Sequence, residues 1–123
     1  MNPTRPLRIA FDIDDTLIVP SVATGLDRDT PNYENIAMFR YFQAQGNDMI
    51  LWSGGGADYA RMWGEKLGLV PFRTLTKEKG HGVDIAFDDC EVDLATVNVR
   101  VGRINNRVSR SEWNKNHEQV EEK

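Results

Sequence analysis

Ile9-Ala10-Phe11-Asp12-Ile13-Asp14-Asp15-Thr16-Leu17 is the stretch on which the reading of this chain turns. With Leu7 it forms an apolar run that predicts a short buried strand, and the run breaks at Asp12 into three carboxylates within four positions. The same pattern recurs at Ile85-Ala86-Phe87-Asp88-Asp89. Between the two lies Met49-Ile50-Leu51-Trp52, an unbroken apolar run typical of a strand covered on both faces, followed by Ser53-Gly54-Gly55-Gly56. Polar residues thus cluster where three apolar strands end.

The segments between these strands read as helices. Thr30 and Pro31 give a capping hydroxyl and a first-turn proline, Tyr33, Ile36, Ala37, Tyr41 and Ala44 follow helical spacing, and Gly46 stops the run. A second helix is expected from Ala57 to Leu67, closed by Gly68. Residues 17–30 read as a hairpin or flap, Val70 to Leu75 as a further strand, and the alternating Val97, Val99 and Val101 as a fifth. Ser109 opens a short, charged tail helix over about 109–123. Alternating strands and helices predict an α/β fold: a three-layer Rossmann-like sandwich around a mostly parallel five-stranded sheet. In such sheets ligands bind beyond the carboxyl ends of the strands, where the three polar loops fall.

Composition narrows the class. A chain of 123 residues is expected to form one domain, with a core over about 7–105. The net charge of −4 supplies no global basic field for nucleic acid. Cys90 is the only cysteine, so no intrachain disulfide can form. No segment approaches the ~20 apolar residues that cross a bilayer, and no secretory leader is visible. A cytoplasmic protein with no membrane partner is expected.

Asp12, Asp14, Asp88 and Asp89 would converge on one edge and repel one another. A hard cation resolves that repulsion, and an incomplete carboxylate set completed by water suits Mg²⁺ better than a full Ca²⁺ cage. Zinc is not indicated, because His81 and His117 stand alone and Cys90 has no partner. Mg²⁺ beside anionic side chains points to phosphate chemistry. The Ser53 hydroxyl and the Gly54 and Gly55 backbone, leading into a helix, fit a phosphate cradle, and Lys77 or Lys79 supplies fixed positive charge.

These motifs resemble those of the haloacid dehalogenase-like superfamily of phosphatases, over about residues 7–101. Asp12-Ile13-Asp14-Asp15-Thr16 is similar to its first motif, Ser53 to its second, a lysine to its third, and Asp88-Asp89 to its fourth. The resemblance implies an Mg²⁺-dependent phosphomonoester hydrolase. Asp12 would attack phosphorus to form an aspartyl-phosphate. Asp14 would protonate the leaving oxygen and then activate water, which requires a raised pKa of the kind a neighbouring carboxylate provides. The metal ligands would be the Asp12 carboxylate, the Asp14 carbonyl, and an acid of the Asp88-Asp89 pair. Ser53, Gly54 and Lys79 or Lys77 would hold phosphate, with spacing favouring Lys79. The chain has no room for a cap domain after the first or third strand; the family uses such open sites for large substrates or closes them by oligomerisation, so a homo-oligomer is one expectation.

Other residues receive plainer readings. Thr16 supports the loop, Asp15 is a solvated turn residue, and Asp93 either supports the metal loop or caps a turn. His81 is a surface residue, and Trp52, Trp63 and Phe87 are core. The phosphorylated substrate, small molecule or macromolecule, is left open. A specialised phosphatase for nucleic-acid ends, nucleotides or phosphoproteins is one alternative; the only support for a polyanion is the set Arg100, Arg103, Arg107 and Arg110. A non-catalytic phosphate-binding or regulatory domain of the same fold is the other.

Overall fold

Ile9, Ala10 and Phe11 are fully buried and lie in the middle strand of the sheet. The computed structural model describes residues 5–21, 25 and 28–103. Within them the strands are β1 (Arg8–Phe11), β2 (Ile18–Val19), β3 (Thr30–Pro31), β4 (Asp48–Leu51), β5 (Arg73–Thr74), β6 (Ile85–Asp88) and β7 (Val97–Arg100). The helices are α1 (Tyr33–Ala44) and α2 (Ala57–Lys66). Five strands form one parallel sheet in the order β5-β4-β1-β6-β7. The fold is therefore α/β with a five-stranded parallel sheet of Rossmann-like type.

Register explains the core. Ile9 pairs with Met49 and Ile85, Ala10 with Ile50 and Ala86, and Phe11 with Leu51 and Phe87. Side chains alternate across a strand, so these rows face opposite sides of the sheet in turn. One side carries Ile9, Phe11, Met49, Leu51 and Phe87, packed with Phe39 of α1 and Ala60 and Trp63 of α2. Phe11 stacks on Phe87 at 4.5 Å between ring centroids and meets Phe39 edge-on at 5.4 Å. The other side carries the smaller Ala10, Ile50, Val83 and Ala86 with Trp52, and loop residues Leu75, Leu94 and Ala95 pack onto it. Both described helices thus cover one face. A Cβ on Gly64 would come within 2.3 Å of Phe72 and 2.6 Å of Leu51, so glycine lets α2 lie close against β4.

Several boundaries differ from the sequence reading. Thr30 and Pro31 do not begin a helix; they form β3, paired antiparallel with β2, and the helix cap is Asn32, whose side chain accepts from Asn35 N. Proline is tolerated there because a two-stranded hairpin has free outer edges. The expected strand from Val70 to Leu75 shortens to Arg73–Thr74, since Pro71 has no N–H for the ladder. The hairpin expected over 17–30 exists, and its root is core: Leu17, Ile18 and Val19 are buried. The predicted tail helix, Arg107, Arg110 and His117 lie outside the described residues. Among the described residues no helix is long and apolar enough to cross a membrane.

β1 is the switch point of the sheet. The chain leaves it towards β4 and β5, then returns to its other side as β6 and β7. Loops leaving β1 and β6 diverge, and a crevice opens at their carboxyl ends.

Candidate functional site

Asp12 follows the last residue of β1 and stays tied to the sheet through its N–H, which donates to Phe87 O at 3.1 Å. The loop then tightens around Ile13, which is fully buried and whose carbonyl accepts from the amides of Thr16, Leu17 and Ile18. Asp15 adopts φ of 66°, in the left-handed region that aspartate tolerates better than most residues. It is buried rather than solvated, because the hairpin root folds over it: Asp15 N donates to Ile18 O. Asn35 in the first turn of α1 donates to Thr16 O at 2.8 Å, which fixes the loop to the helix.

A cleft of about 290 Å³ opens here, lined by Asp12, Asp14, Asp15, Ser53, Gly54, Gly55, Lys77, Asp88, Asp89 and Cys90. Three separate strand ends therefore meet in one crevice. Lys77 stands at its centre, with Nζ 3.1 Å from Asp12 Oδ1 and 2.6 Å from Asp88 Oδ2. Thr16 donates to the other Asp12 oxygen, Oδ2, at 3.3 Å. Asp88 Oδ1 accepts the Cys90 amide at 3.0 Å. Ser53 is buried; its Oγ accepts from Gly55 N at 2.9 Å and its carbonyl from Gly56 N, so it shapes the turn that starts α2.

The two members of the acidic pair have different partners. Asp88 faces Asp12 across Lys77. Asp89 instead receives Arg103 Nε at 2.9 Å on Oδ2, and its carbonyl accepts from Arg100 Nε at 3.2 Å. The two lysines also separate. Lys79, which the spacing favours, pairs with Asp93 at 2.7 Å, where both side chains are largely exposed. Lys77 is the lysine brought to the carboxylates. Asp93 is not among the residues that line the cleft.

Five carboxylates line this crevice beside one lysine. Burial first, and then the Asp88 charge, push the Asp12 carboxyl well above its ordinary range, against the opposing pull of Lys77. Burial alone would lower the Lys77 pKa, but the adjacent Asp12 and Asp88 outweigh it and hold the ammonium protonated. A cluster of carboxylate oxygens of this kind is a donor set that a divalent cation could be held by. Asp12 and Asp88 could both contribute oxygens, each of them now in contact with Lys77. Ligand atoms of Asp88, Asp89 and Cys90 also lie within 4.8 Å of one another, although Arg103 already binds Asp89.

Three site residues escape the sequence reading. Tyr59 donates its phenol hydrogen to Asp14 Oδ1 at 2.7 Å. Cys90 lines the crevice, and its thiol, pushed up by burial and then by Asp89, contacts Asp89 Oδ2 at 3.6 Å. Arg103, one of the arginines read as support for a polyanion, is instead turned inward onto Asp89. A signal existed only for Tyr59, which falls in the first turn of the helix that the Ser53 loop begins. His81 is half-buried, with Nε2 3.0 Å from Thr76 Oγ1, and does not line the crevice. No protein-family model, curated protein or solved structure matches the chain.

Proposed function

We propose that this chain is a phosphomonoester hydrolase of the haloacid dehalogenase-like type, using Mg²⁺ and an aspartyl-phosphate on Asp12. The observation that carries the reading is the Asp12–Lys77–Asp88 bridge, with contacts of 3.1 and 2.6 Å, at the carboxyl ends of two neighbouring parallel strands. Ser53, Gly54 and Asp14 on the same crevice supply the remaining parts. A three-layer sandwich without a cap domain belongs to this reading.

The chemistry follows from the partners of each side chain. Thr16 and Lys77 hold the two Asp12 oxygens, which aims the carboxylate into the crevice and limits its rotation. A carboxylate that burial makes more basic is also a better nucleophile than one in water. Lys77 neutralises charge on the incoming phosphoryl group, and the amides of the Ser53-Gly54 turn offer donors to its equatorial oxygens. Bound through Asp12 and Asp88, Mg²⁺ would supply Lewis-acid charge neutralisation. Asp14, half-buried at the same opening, delivers a proton to the departing oxygen and then takes one from the hydrolytic water.

Arg100 and Arg103 bear on the choice of substrate. Both donate to Asp89, so they form part of the acidic wall rather than a track for a polyanion. This favours a phosphomonoester carried on a small molecule over a nucleic-acid end. The test is hydrolysis of an aryl phosphate with Mg²⁺: wild type should turn over and Asp12→Asn should not, while its circular dichroism is unchanged. Turnover retained in Asp12→Asn would overturn the mechanism.

A further inference from the structure

Tyr59 is the third residue of α2, and its ring is half-buried against the main core cluster. The ring lies directly over the Ser53-Gly54-Gly55 turn: a Cβ on Gly55 would sit 3.3 Å from Tyr59 Cδ2 and 3.4 Å from both Tyr59 Cγ and Ser53 Oγ. At the far end of the ring the hydroxyl donates to Asp14 Oδ1 at 2.7 Å, across 45 residues of sequence. A core-packed ring, a close backbone and a short hydrogen bond thus fix one oxygen of a carboxyl group that is otherwise open to the crevice. An exposed phenol would need no such support.

We infer that Tyr59 is the positioning residue for Asp14: its hydroxyl holds Oδ1 and leaves Oδ2 as the oxygen offered to the reacting group. The inference rests on the phosphatase reading above. With Oδ1 accepting the phenol hydrogen, Oδ2 is the oxygen left to exchange a proton with the leaving group. As the bond from Asp12 oxygen to phosphorus forms, the bond from phosphorus to the leaving oxygen breaks, and the Oδ2 proton passes to that oxygen. The phenol keeps its own hydrogen throughout. Glycine at position 55 has a matching role, since a methyl group there forces the ring or the Ser53 hydroxyl to shift by a few tenths of an ångström.

Leaving-group dependence separates this role from a merely structural one. A poor leaving group needs the proton from Asp14, whereas a dinitrophenolate departs without it. Tyr59→Phe keeps the ring and removes only the hydroxyl. Its kcat/KM should fall by about tenfold or more for an alkyl phosphate, within the range expected when general acid catalysis is impaired. For dinitrophenyl phosphate it should fall by less than about threefold, since proton transfer contributes little there. Added to Asp14→Asn, Tyr59→Phe should cause no further loss, because the two residues act as one unit. Equal losses on both esters, no loss on either, or an additive double variant would each overturn the inference. Wild type that hydrolyses neither ester would overturn the phosphatase reading itself and this role with it. That failure appears in the parent protein rather than in the variant, so the two are told apart.

Discussion

Lys77 Nζ lies 3.1 Å from Asp12 Oδ1, joining residues 65 positions apart at the mouth of the crevice. The same ammonium reaches Asp88 Oδ2 at 2.6 Å, so a single charge links the ends of β1 and β6. Both acids are more than nine-tenths buried, and water replaces the lysine poorly.

Removing that lysine should cost both stability and activity. Lys77→Met strands two buried carboxylates, and we expect a loss of about 3 kcal/mol in metal-free urea unfolding. Lys79→Met breaks only an exposed pair with Asp93 and should change stability by less than about 0.5 kcal/mol. Hydrolysis should fall about 100-fold in the first variant, as when a fixed donor to the reacting group is removed, and hold in the second. A larger effect at Lys79 would contradict the site.

Asp12 should make the metal-free protein less stable as pH rises. Burial, then Asp88, raise its folded pKa above the usual 3.8, so the folded state holds the proton more tightly than the unfolded chain. The contribution is fully present below the unfolded value and is lost as pH climbs through the folded one. Asp12→Asn removes this dependence. In chelator, the Tm of the variant minus that of wild type should grow from about pH 4 towards neutrality. Saturating Mg²⁺ should shrink the difference, because only wild type keeps the full ligand set. A gap independent of pH would count against the buried, charge-crowded carboxyl.

Asp84 behaves in the opposite way, at the other end of the sheet. Two hydrogen bonds of 2.8 Å from the Arg5 guanidinium, and then the Arg8 amide at 2.8 Å, lower its pKa from 3.8 to about 2. Its stabilisation is present above 3.8 and disappears as pH falls through about 2. The shift alone converts to about 2 kcal/mol, which screening of the exposed Arg5 reduces to about 1 kcal/mol. Asp84→Ala should therefore lose about 1 kcal/mol at neutral pH, converge on wild type near pH 2, and leave phosphate hydrolysis unchanged. Denaturant melts at several pH values test it.

The parts of the site that sequence makes legible are those encoded by neighbours in the chain. An apolar run ended by acids marks a parallel strand and its carboxyl end, so Asp12, Ser53 and Asp88 fall on one edge as expected. The choice between Lys77 and Lys79 is not local. Both lie in a loop of irregular backbone, and only the tertiary path decides which side chain turns inward. Arg103 on Asp89 and Tyr59 on Asp14 are likewise pairs that only the tertiary path brings together. The start of α1 shifts for a related reason: Thr30 has the chemistry of a cap, but pairing with β2 takes it into a hairpin and leaves the cap to Asn32.

The most direct measurement is peptide mass spectrometry after acid quench during turnover of an aryl phosphate with Mg²⁺. Under the aspartyl-phosphate mechanism, a phosphoryl group is expected on the peptide containing Asp12, labile to hydroxylamine, more abundant in Asp14→Asn and absent from Asp12→Asn. Turnover that leaves no label on Asp12, or a label on another residue, would contradict it.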